Sequence, residues 1–139
     1  MGVPDSQPPA PSPQVWRWVE GGLWAALLLA GGLNMLRVRG GLLTSHLADA
    51  AIPALLFVVF SGLSGRPRPR LLPQALRDAP GLLAVVIFAA NAATEVSQYF
   101  WPKGLFPGTF DPLDFVAFGA GILPFYLIEA RRRRRQGAS

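Results

Sequence analysis

The sequence predicts an all-α integral membrane protein, a four-helix bundle with both termini in the cytoplasm, and three observations carry that expectation. Four apolar stretches recur along the 139 residues, 51% of which are hydrophobic. Charged residues make up only 15% and fall between those stretches. The arginines gather in a loop at 65–78 and a run at 131–135, where the connections of one membrane face would lie. A mean hydropathy of +0.34 fits the membrane class, since a soluble domain of this size carries more charge. The isoelectric point near 11.1 comes from arginine-rich ends and loops, which argues against a nucleic-acid partner. The absence of cysteine excludes disulfides, iron–sulfur clusters and thiolate catalysis.

Residues 1–14, proline-rich and polar, are expected to form a disordered tail, because they hold too little apolar surface to bury. Cleavage as a secretory signal is not expected, since that needs basic residues ahead of a short apolar core. The membrane domain is placed at 15–130, with spans at about 16–36, 47–63, 80–100 and 112–130. In the first span Trp16 and Trp18 suit an interfacial belt, and Arg17 pairs with Glu20 at i, i+3. Gly21, Gly22, Gly31 and Gly32 would let a neighbouring helix approach closely.

The second span is the shortest, and Pro53 marks a kink position by its missing N–H. His46, Asp49 and Pro53 share one face at i, i+3 and i+7. The third span ends in the aromatic belt Tyr99, Phe100 and Trp101, and the fourth holds Pro124 as a bend. A basic C-terminal tail, 131–139, follows. With the 65–78 loop and the arginine run on the cytoplasmic side, Arg37, His46, Asp49, Glu95, Gln98, Asp111 and Asp114 all fall at the outer end.

Those seven residues form the candidate ligand-binding site. Asn91, Glu95 and Gln98 lie on one helix face, and a Gly/Pro loop returns the chain to Asp111-Pro112-Leu113-Asp114. Asp111 before Pro112 reads chiefly as an N-cap, whereas Asp114, one turn into a membrane helix, needs a partner of its own. Glu95 lies roughly 8 Å below the outer end, where an unpaired charge costs about 2–3 kcal/mol or more. Arg37 is its expected cation, with Arg39 in reserve. His46-x-x-Asp49 is a weak metal signal, so no metal and no cofactor are assigned from the sequence.

Glu95-x-x-Gln98, the Gly/Pro loop, and Asp111-x-x-Asp114 followed by Gly119 and Gly121 resemble the VanZ-like membrane proteins over residues 91–121. The resemblance implies a multi-pass protein of the cell envelope in the inner membrane. The expected function is binding of an anionic membrane lipid or lipid-linked envelope precursor, with arginines taking phosphate. One alternative is a metal- or carboxylate-dependent intramembrane enzyme acting on a lipid-linked substrate. Catalysis is the weaker reading, since no nucleophile or established catalytic motif is present. Another alternative is a structural subunit, packing as a homo-oligomer or on a membrane partner through small-residue faces of the first and fourth spans.

Overall fold

The computed structural model describes residues 12–36, 42–104 and 109–138, and all the regular secondary structure in them is helical. Helix α1 runs Pro13–Met35, α2 Leu42–Ser61, α3 Gln74–Asp78, α4 Pro80–Phe100 and α5 Pro112–Gln136. Two of these, α4 and α5, are long and apolar enough to cross a membrane. Residues 1–11 of the expected tail, and the expected cations Arg37 and Arg39, lie outside the described residues.

Two helix boundaries differ from the sequence reading for local reasons. The segment 42–49 is the start of α2 rather than a connection; from Leu42 to Ile52 there is no glycine or proline to break it. At the other end, α5 continues through the whole arginine run to Gln136. Arginine is a good helix former, and cations in the last turn complement the helix dipole. A short fifth helix, α3, sits in the 65–78 loop and packs beneath α4.

Helix α2 is the centre of the bundle, packed most extensively on α5, then on α1 and α4. Its composition dictates that place, for Ala51, Ala54, Leu55, Phe57 and Val58 are buried around more than one face. The span that looked shortest is thus the core helix, and it runs 20 residues from Leu42 to Ser61. Phe57 and Val58 meet Leu83 and Ile87 from α4, Ile122 from α5 and Trp16 from α1 in one apolar cluster. Edge-on ring pairs, Trp16 with Phe125 and Phe57 with Tyr126, tie α1 and α2 to α5.

The close approach between helices is made at a different glycine from those expected. Among the described residues, a Cβ built on Gly21, Gly22, Gly31 or Gly32 would meet no atom within 4 Å, so none of them seats a described neighbour. On Gly121 a Cβ would overlap the backbone carbonyl of Ala50. The α5 backbone therefore lies directly on the α2 backbone there, two turns below the start of α5. Because α2 and α5 run parallel, this contact brings their N-terminal turns together.

Candidate functional site

Three helix ends converge on one polar cluster. The first described turn of α2 supplies His46 and Asp49, the start of α5 supplies Asp111 and Asp114, and the last turns of α4 supply Glu95 and Gln98. Asp111 is the N-cap of α5, its Oδ1 accepting the Leu113 N–H at 2.9 Å, and Pro112 follows at the first helical position. Its other oxygen, Oδ2, stands 3.9 Å from His46 Nε2. Asp114 meets the opposite ring nitrogen, with Oδ1 2.7 Å from His46 Nδ1. The imidazole thus bridges two carboxylates, and Asp111 serves as cap and as site residue through different atoms.

Glu95 plays a separate part. Its Oε1 accepts from Gln98 Nε2 at 3.2 Å and its Oε2 from the Asp111 backbone N–H at 3.4 Å. Although only 5% exposed, it has a donor on each oxygen among the described residues. The Arg37 partnership falls outside the described residues. These contacts make Glu95 a strut between α4 and the α5 N-terminus. Glu95→Gln keeps an acceptor for that N–H and is expected to cost less than about 1 kcal/mol, whereas Glu95→Ala should cost about 1–3 kcal/mol. Thermal unfolding in detergent measures both, and equal losses would show that the charge, not the hydrogen bond, is what Glu95 contributes.

Asp49 and Glu95 both lie close to Asp114. The cluster is consequently acidic, with four carboxylates around one imidazole. Among the described residues, the carboxylates paired with arginine lie at the opposite end of the bundle. His46, Asp111 and Asp114 each offer one ligand atom, and the three lie within 4.8 Å of one another. That separation matches donors on opposite sides of one divalent ion, whose bonds to oxygen are about 2.0–2.6 Å long. Imidazole among carboxylates favours a transition ion such as Mn²⁺ or Zn²⁺ over Mg²⁺ or Ca²⁺.

The far end holds a polar group that the sequence reading did not single out. Glu129 on α5 is 2% exposed and takes Arg133 Nε at 2.7 Å, with Arg68 at 3.6 Å and Arg132 at 3.9 Å. Its spacing of three and four residues to Arg132 and Arg133 was a readable signal. Glu20 does not pair with Arg17: its Oε1 takes Arg66 Nη1 at 2.8 Å, while Arg17 stays exposed. The 65–78 loop folds back over the start of α1, with Gly65 against Pro13, and so reaches Glu20 first. No protein family, curated protein or solved structure matches this chain.

Proposed function

We propose that the chain is a multi-pass plasma-membrane protein of VanZ-like type whose outer-face cluster holds a divalent cation, and through it an anionic lipid or lipid-linked envelope component. The observation that carries this reading is the convergence of His46, Asp111 and Asp114 within 4.8 Å. The described residues of the cluster are acidic, and like charges repel an anion; Arg37, the arginine the sequence offers for phosphate, lies outside them. A cation reverses that sign and leaves coordination positions for phosphate oxygens. Asp49 stands beside Asp114 as a further donor.

Placement in the membrane rests on the arginines. The 65–78 loop and the end of α5 meet at one end through Arg68, Arg133 and Glu129, and α1 begins at that end, beside Gly65. Cytoplasmic placement of that end follows the positive-inside rule and turns the His46 cluster outward. The VanZ-like assignment rests on the 91–121 motif alone, in which Ala117 and Phe118 stand where the family carries asparagine.

Calorimetric titration of metal-stripped protein with Mn²⁺ and Zn²⁺ tests the site. One ion per chain is expected, with at least a tenfold loss of affinity in Asp114→Asn, since that change removes a charged ligand. A polyprenyl phosphate in nanodiscs should bind only when the ion is present. Absence of ion binding, or binding untouched by Asp114→Asn, would leave the imidazole bridging two aspartates as a structural triad.

A further inference from the structure

We infer that the outward stripe of α5 is a binding site for an anionic phospholipid of the leaflet at the arginine end. This rests on the reading of the bundle as membrane-spanning, and it concerns the opposite end from the His46 cluster. The stripe is Val116, Ala120, Leu123, Leu127, Arg131 and Arg134, at steps of four, three, four, four and three, so all six share one helix face. All are exposed, Val116 at 67%, Leu123 at 54% and Leu127 at 42%.

The face is defined because α5 stays helical through Gln136. Its end is clamped from the other side: Arg133 bonds Glu129 and the carbonyls of Arg77 and Asp78, and Arg132 pairs with Glu129. Arg133 is thereby turned inward, and Arg132, though exposed, leans to the Glu129 side. Arg131 and Arg134 enter no ion pair among the described residues, and both lie on the face that continues the exposed leucines.

An apolar stripe ending in two arginines has the chemistry of one amphiphile. Arg131 stands about 12 Å along the axis from Leu123, close to the roughly 15 Å depth of one hydrocarbon leaflet. A headgroup phosphate held between Arg131 and Arg134 lays its acyl chain along Leu127 and Leu123. Guanidinium matches phosphate with paired hydrogen bonds, and each basic residue at this depth adds to the attraction for anionic lipid. An acidic peptide would match the arginines alone and leave the leucines uncovered.

The test uses the full chain in nanodiscs of mixed phosphatidylglycerol and phosphatidylcholine, with retained lipid read by native mass spectrometry. The wild type is expected to keep one phosphatidylglycerol. Arg131→Gln with Arg134→Gln should lower its retention roughly tenfold or more. Leu127→Ala should lower it with no change of charge, and Arg17→Gln, an exposed arginine at the same end on α1, should leave it unchanged. An equal loss in Arg17→Gln would reduce the effect to bulk charge and overturn the site, as would full displacement by free glycerol phosphate. Ion titration at the His46 cluster in the same double variant should be unaltered, so failure here is separable from failure there. Failure of the chain to insert would instead sink the membrane reading and this inference with it.

Discussion

Arg133→Ala is expected to destabilise the bundle by about 3–5 kcal/mol, the range for breaking a buried pair from one side. Glu129 is almost fully enclosed, and Arg133 supplies its shortest contact, 2.7 Å from Nε to Oε1. Arg68 at 3.6 Å and Arg132 at 3.9 Å are too far to replace that hydrogen bond without moving. Loss of Arg133 also removes the donor from the carbonyl of Asp78, where α3 ends, and leaves the carbonyl of Arg77 to Arg68 Nη1 alone. Two costs therefore combine, an under-compensated buried carboxylate and an uncapped helix end. Adding Glu129→Gln removes only the first, so the double variant should regain part of the loss. Chemical or thermal unfolding in detergent for both singles and the double measures the coupling. Strict additivity would mean that Glu129 and Arg133 do not stabilise one another.

That prediction has the form the sequence reading gave to Glu95 and Arg37, moved to the other end of the bundle. The principle was sound: a carboxylate deep in an apolar helix needs donors. For Glu95 the expected cation, Arg37, lies outside the described residues, and the donors the structure shows are of other kinds. Glu95 is served by Gln98, three residues along its own helix, and by a backbone N–H that reaches it only because α5 starts beside the end of α4. Glu20 takes Arg66 from a loop more than 40 residues away rather than Arg17 one turn before it. Spacing along one helix is legible; the docking of a loop is not.

Helix identity was legible for a related reason. The α4 and α5 starts are marked by Pro80 and by Asp111-Pro112, chemistry that acts within a turn. The end of α5 was not so marked, because an arginine run reads equally as a solvated tail until Glu129 is seen to hold it. His46, Asp49, Glu95, Gln98, Asp111 and Asp114 were grouped from helical periodicity, the loop's return and the placement of the arginines, and the structure has them at three neighbouring helix ends, while Arg37, grouped with them, lies outside the described residues. Their roles were less accessible. Asp111 caps with one oxygen and faces His46 with the other, a division no spacing argument contains.

Gly121→Ala is expected to separate α2 from α5 and to weaken ion binding, although Gly121 touches no proposed ligand. The added Cβ would overlap the carbonyl of Ala50, and neither group is the free end of a flexible side chain. Relief requires the two helix backbones to part. Overpacking of this kind costs about 1–3 kcal/mol where side chains can adjust, and a backbone contact belongs at or above the top of that range. The displacement is then carried up both helices. Ala50 lies one turn from His46 on α2, and Gly121 two turns from Asp114 on α5, so the 2.7 Å contact between those side chains opens with the helices. Measured together, unfolding stability and Mn²⁺ affinity should fall in Gly121→Ala and fall further in Gly121→Val. The matched control is Gly119→Ala, two residues away, where a Cβ meets nothing within 4 Å. It should be neutral or slightly stabilising, since alanine is the better helix former. A Gly121→Ala protein that keeps both stability and ion affinity would mean that α2 and α5 are not held in contact at this position, and that the alignment of His46 with Asp114 is set elsewhere.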